Sequence, residues 1–189
     1  MINSKSDYLT YIEADKKALG AKTKHPLVQS ANSMVWLCDP VCKFQRLLRK
    51  LEYWTNCHNR KRFAPYLVFL RWRYQRLSAK LGFTIPLNVC GPGLCLAHYG
   101  SIIISRHAKI GSNCVIHGCV NIGAHPKTGG APIIGNNVFI GPGAKLFNRI
   151  TIADDVMVGA NAVVSKDVLT PGSVVISANV VRSPKSRSN

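Results

Sequence analysis

Acidic side chains are scarce in this 189-residue sequence: eight Asp and Glu stand against 25 Lys and Arg, a formal net charge of +17. The eight are Asp7, Glu13, Asp15, Asp39, Glu52, Asp154, Asp155 and Asp167, so no carboxylate side chain occurs from Tyr53 to Ala153. Such an imbalance implies an anionic partner, whether substrate, lipid or nucleic acid, or else a solvated basic surface. An acyl carrier with phosphates accounts for part of it. There is no apolar run of eighteen or more residues, and MINSKSDYLT lacks the apolar core of a signal peptide, so a cytoplasmic protein without a transmembrane helix is expected. The seven cysteines are an odd number with no CxxC pair, which argues for reduced thiols rather than a disulfide framework.

What the sequence does have is a repeat. Ile104, Ile110, Ile116, Ile122, Ile134, Ile140, Leu146, Ile152, Val158 and Val164 fall on one six-residue frame, broken only at Thr128. A second row two residues earlier is small or branched: Ala108, Cys114, Val120, Val138, Ala144, Ile150, Val156 and Ala162. Glycine often follows the aliphatic residue, as at Gly111, Gly123, Gly135, Gly141 and Gly159. A helix repeats every 3.6 residues and a strand every two, so this period fits neither alone. It fits a solenoid of short parallel strands joined by tight turns, with glycine relieving crowding at the corners.

The first 82 residues are of another kind. LTYIEADKKALG has a helix-forming composition ending at Gly20, and a polar, irregular stretch follows from Ala21 to about Ser33. Asp39 is placed as the N-cap and Pro40 as the first residue of a helix whose stripe is Phe44, Leu47, Leu48 and Leu51. YLVFLRWRYQRLSAKLG gives a third helix ending at Gly82. From Lys43 to Lys80 eleven basic residues face Glu52 alone, interleaved with Trp54, Trp72 and Tyr74. That composition suits peripheral contact with an anionic membrane, or aromatics packed on the solenoid with solvated arginines. No nucleic-acid-binding motif accompanies the charge, and nucleic acid is not an expected partner.

The [Ile/Leu/Val]-Gly-x4 frame resembles the hexapeptide-repeat acyltransferases, over roughly residues 90 to 180. The run from Asn88 to Phe147 is similar in order and spacing to serine O-acetyltransferases and to the acetyltransferases of polysaccharide gene clusters. The resemblance implies an α+β architecture: a helical N-terminal domain over residues 1–82, a left-handed parallel β-helix over 83–180, and a disordered basic tail over 181–189. It also implies a homotrimer with active sites between subunits and acetyl-CoA as co-substrate, with no metal. The catalytic histidine of the serine enzymes falls on His98.

Elementary chemistry agrees with a histidine, since an alcohol attacks a thioester only weakly until a base takes its proton. Of the six histidines, His25 and His58 lie in polar linkers and are expected at the surface, and His107, beside inward Ala108, is expected to face solvent. His117 stands after Ile116 where other repeats mostly carry small residues, so its ring is expected to project from a corner. His98, nineteen residues earlier, is expected about one strand spacing from it, roughly 5 Å. Extending the frame back puts His98 on an inward position. Either the first coil is irregular, as the GPG at Gly91–Gly93 permits, or His98 is structural.

GAHPKTGGAP, which replaces the Thr128 unit, is expected to protrude because Pro126, Gly129, Gly130 and Pro132 cannot continue a strand. The resemblance implies that this loop closes over the acyl carrier, that Gly123 offers an amide toward the thioester, and that Gly143 and Ala144 of IGPGAK let the pantetheine arm lie along the wall. Lys127 either meets a CoA phosphate or is simply solvated.

The departures from the serine enzymes point to a different acceptor. Where they carry an orienting Asp fifteen residues before the histidine, Phe83 stands here, and where they carry Asp directly before it, Ala97 stands. Their Arg-His pair at the end of the loop has no counterpart in GGAPII. Asp39, in an Asp-Pro step, is the substrate-side residue that remains. The expected activity is therefore acetyl-CoA-dependent O-acetylation of a hydroxyl on a cell-surface polysaccharide sugar or its precursor, with serine O-acetylation as the alternative. Two readings from other classes are a carbonic-anhydrase-like zinc site built from His98, His117 and His125, and a scaffold without catalysis.

Overall fold

The computed structural model describes residues 1–20, 39–59, 61–178 and 180–182. The irregular stretch expected from Ala21, together with His25, Arg60 and the tail from 183, lies outside them. Among the described residues three helices come first: α1 (Lys5–Gly20), α2 (Pro40–Cys57) and α3 (Ala64–Leu81). Asp39 caps α2, its carboxylate accepting from the amides of Val41 and Cys42 at 2.8 and 3.0 Å. The stripe of Phe44, Leu47, Leu48 and Leu51 is buried as its spacing requires. At the end of α3, Gly82 takes φ +74°, the left-handed conformation that stops a helix cheaply only for glycine.

From Phe83 the chain winds as a three-sided prism of parallel strands. One wall stacks β1 (Phe83–Thr84), β3 (Ile102–Ile104), β6 (Asn121–Gly123), β9 (Lys145–Phe147) and β12 (Val163–Val164). A second stacks β4 (Lys109–Ile110), β7 (Ile133–Ile134) and β10 (Thr151–Ile152). The third stacks β2 (Cys95–Leu96), β5 (Val115–Ile116), β8 (Phe139–Ile140), β11 (Met157–Val158) and β13 (Val174–Ser177). On β13 pairs β14 (Val180–Arg182), antiparallel to it, so residues 181 and 182 of the expected tail continue the wall.

Both repeat rows point inward, and every member of either is at most 4% exposed. Glycine at the corners answers vertical crowding between coils. A Cβ on Gly111 would lie 2.4 Å from the carbonyl oxygen of Gly135 one coil below. A different set of corner residues takes positive φ, and three of them form a ladder. Asn113 donates to Asn137 at 3.2 Å, and Asn137 donates to Asp155 at 3.0 Å.

The first coil has no coil above it, so its backbone groups form an open edge. Helical side chains close that edge. Asp15 accepts from the Leu94 amide at 2.9 Å, and Glu52 accepts from the Asn88 amide at 2.7 Å. Gln45 donates to the Leu94 carbonyl and accepts from the Leu96 amide. Arg49 donates to the carbonyls of Cys90 and Gly91, while Tyr74 and Ser78 donate to those of Ile85 and Phe83. Arg49 is thus fully buried between Asp15 and Glu52, which corrects its expected place among the solvated arginines. Burial alone would lower its pKa, but the two carboxylates raise it well above the usual arginine value. His58 is not a simple surface residue either: it stacks on Trp54 at 4.0 Å, with Tyr53 and Phe63 edge-on.

Candidate active site

Strand register settles the position of His98. Leu96 pairs with Ile116, twenty residues on, whereas Ile140 pairs with Val158, eighteen on. The turn between β2 and β3 therefore holds two extra residues, and Leu96 takes the inward place that a strict frame assigns to His98. His98 and Tyr99 are exposed on that turn. The first coil is the irregular one, and the inward reading of His98 is corrected.

His117 follows β5 at the same edge of the prism, half-buried, with its backbone amide donating to the Ile140 carbonyl at 3.0 Å. Its ring lies 5.7 Å from that of His98 and 5.0 Å from Phe139. The two imidazoles thus meet, slightly beyond one strand spacing. Phe139, an outward residue of the same wall, is the neighbour that sequence reasoning missed. The signal for it is its position, one residue before inward Ile140 and one coil below His117.

Gly143 lies at the same edge on the coil of Phe139, its amide donating to the Gly118 carbonyl at 3.0 Å. It has φ +74°, and a Cβ there would strike the Asn161 side chain, so this turn requires glycine. Ala144 is fully buried with its methyl inside the prism. What it adds to the outer wall is a backbone with no side chain standing on it. Lys145 reaches across this edge to donate to the Cys119 carbonyl at 2.7 Å.

Gly123 and the inserted loop stand elsewhere. The loop leaves β6 for β7, at the next corner of the prism, while the two histidines stand at the corner where the third wall turns into the first. Lys127 is at the exposed tip. The loop is closed by His125, whose amide donates to the Gly130 carbonyl at 2.7 Å and whose Nδ1 accepts from the amides of Lys127 and Thr128 at 3.2 Å. Accepting at Nδ1 leaves the proton of a neutral ring on Nε2. Gly123 is in register opposite Phe147, and a Cβ there would meet no backbone atom closer than 4 Å, unlike at Gly111.

Among the described residues, no group of three His, Cys, Asp or Glu is arranged to hold a metal ion. Within one chain His98, His117 and His125 are not such a group. Asp39 sits at the start of α2 beside Cys42, whose thiol is pushed up to about 12 by burial and by the Asp39 carboxylate. Phe83, in place of the orienting carboxylate, is buried edge-on to Phe44 at 5.0 Å.

Residues 131–166 match the bacterial transferase hexapeptide family, described by six repeats. The structure is similar to that of serine acetyltransferase from Neisseria gonorrhoeae, 26% identical, with a TM-score of 0.76 over 98% of this chain and 71% of that one. Soybean serine acetyltransferase complexed with serine is 26% identical, with a TM-score of 0.72 over 94% of this chain and 69% of that one. A serine acetyltransferase in complex with CoA has a TM-score of 0.70 over 94% and 70% of the two chains, and at 18% identity it speaks to the fold alone. No curated protein matches. The shared architecture is a helical region followed by a left-handed parallel β-helix.

Proposed function

We propose that this hexapeptide-repeat acyltransferase, serine acetyltransferase-like in fold, transfers acetyl from acetyl-CoA to a hydroxyl of a cell-surface polysaccharide sugar or its precursor. The observation that carries the reading is the His98–His117 pair, in which His98 stands on an exposed turn that the repeat frame alone does not produce. His98 takes the proton of the acceptor hydroxyl as its oxygen attacks the thioester carbonyl. The tetrahedral intermediate then collapses, the C–S bond breaks, and the proton passes to the CoA thiolate.

Within one chain the histidine pair and the Gly123–Lys127 loop stand at different corners of the prism. A homotrimer supplies the missing half, the loop of one copy facing the histidines of the next. This favours a site between subunits, with Lys127 near the CoA phosphates, Gly123 leaving room for the thioester and Gly143 keeping the wall narrow. The protein then works in the cytoplasm, with the basic helices turned to the inner face of the membrane.

A sugar fits better than an amino acid because the ionic contacts for one are absent. Phe83 is core, Ala97 carries no charge, and Ile133 and Ile134 follow the loop where a basic pair would hold a carboxylate. The second reading is serine O-acetylation, favoured by the likeness to the Neisseria gonorrhoeae and soybean enzymes. In that reading Asp39 lies on the substrate side. Acetyl transfer to serine and to a saccharide panel, measured as CoA release, separates the two; an absence of transfer to any hydroxyl acceptor would overturn both.

A further inference from the structure

An open groove of about 860 Å³ runs between α2 and α3, and none of its lining residues belongs to the histidine turn. Lys43, Arg46 and Lys50 line one side, and Arg73, Arg76 and Lys80 the other. Both rows have the same spacing, i, i+3 and i+7, which keeps three side chains on one face of a helix over about 10 Å. Leu47 and Leu77 form the apolar floor, and Trp72 stands on the rim, 53% exposed.

Six cations around one groove repel each other unless something neutralises them. The chain itself has little to offer. All eight carboxylates belong to described residues, and Asp15 and Glu52 are held by Arg49. Asp39 caps α2, Asp7 accepts from Asn3, Asp154, Asp155 and Asp167 bond groups of the β-helix, and Glu13, exposed on α1, forms no ion pair among the described residues. Among the described residues, Lys43, Lys50, Arg73, Arg76 and Lys80 form no ion pair, and residues 21–38 contain no acid.

Several of the cations lean on aromatic rings instead. The Arg76 guanidinium lies 5.1 Å from the Trp72 ring centre, and that of Arg73 5.7 Å from Phe69. These contacts hold the guanidinium groups at the groove without using up their charge. One turn before Trp72 on the same helix, Val68 and Phe69 are exposed apolar residues next to the basic row. Charge and apolar surface therefore adjoin.

We propose that this groove binds a phosphate-bearing group, with the phosphate or diphosphate between the two basic rows and a non-polar portion of the same ligand over Trp72, Phe69 and Val68. Paired arginine forks suit phosphate oxygens, and rows about 10 Å long accommodate more than one phosphate. The ligand is either the headgroup of a membrane lipid or a soluble phosphorylated compound. The site stands on the groove alone and does not depend on the acyl-transfer reading.

The test uses the full chain at physiological ionic strength with two probes: inorganic pyrophosphate, and vesicles of phosphatidylcholine with or without phosphatidylglycerol. The groove variant is Arg73→Gln/Arg76→Gln/Lys80→Gln, and the control, removing equal charge elsewhere, is Lys16→Gln/Arg106→Gln/Lys109→Gln. All six positions are exposed, and an unchanged melting temperature verifies the fold of each. Binding of at least one probe, weakened about tenfold or more by the groove variant and much less by the control, is expected. Pyrophosphate binding then identifies a soluble source, and binding only to phosphatidylglycerol vesicles a lipid one. The proposal is overturned if neither probe binds, or if both variants lose affinity equally, which would reduce the attraction to net charge.

Discussion

Arg49 and Asp15 meet at 2.8 Å with both side chains fully buried, although 34 residues separate them. The pair does more than neutralise itself. Asp15 also accepts from the Leu94 amide, and Arg49 also donates to two carbonyls of the first coil, so the pair fastens the helices to the open end of the prism. Removing one partner leaves the other charge buried and unpaired. Asp15→Ala should therefore cost about 3–5 kcal/mol, read as a lowered denaturation midpoint. A change below about 1 kcal/mol would mean that the network is not what holds the end closed.

Two glycines that look alike in the repeat should behave differently. Alanine at Gly111 forces its Cβ against a carbonyl of the next coil, so Gly111→Ala should destabilise by about 1–3 kcal/mol. Alanine at Gly123 meets only side-chain atoms of Asn121 and Phe147 at ordinary contact distance, so Gly123→Ala should leave the melting temperature nearly unchanged while lowering acetyl transfer. Thermal unfolding and a transfer assay on both variants give the answer. Equal thermal losses would remove Gly123 from the site.

Thiol chemistry gives a third expectation. Burial pushes Cys90 up to about 12 and Cys114 to about 11, from an ordinary value of 9.0, and Cys42 behaves likewise. In the native protein these three should resist alkylation at neutral pH, while exposed Cys119 reacts. The folded state prefers the protonated thiols, so the unfolded chain loses its protons first as pH rises. Stability should be full below about pH 9 and decline as pH climbs toward 11–12. Mass mapping after alkylation, and unfolding curves across that range, check both.

Much of the β-helix was legible because its signal is one-dimensional. Every aliphatic residue of the six-residue frame from Ile104 to Val164 points inward, and Asp39, Pro40 and Gly82 take their expected places at helix ends. His98 was harder. Its position depends on two extra residues in one turn, and register is visible only when Leu96 is seen opposite Ile116. The closing network was hidden for a similar reason, since Asp15, Gln45, Arg49 and Glu52 bond backbone atoms 36 to 79 residues away. A trace existed, because Gln45, Arg49 and Glu52 follow helical spacing on the buried face of α2, where apolar residues are the norm. The groove needed two helices side by side, each contributing a row that looks ordinary alone.

The central claim concerns the base and its acceptor, and one assay addresses both. CoA release from acetyl-CoA is measured for the native protein and for His98→Ala, with free serine and with a saccharide panel. The account expects transfer to a sugar hydroxyl and little to serine, with His98→Ala lowering turnover about 100- to 10,000-fold. Unchanged turnover in the variant, or transfer to serine alone, would contradict it.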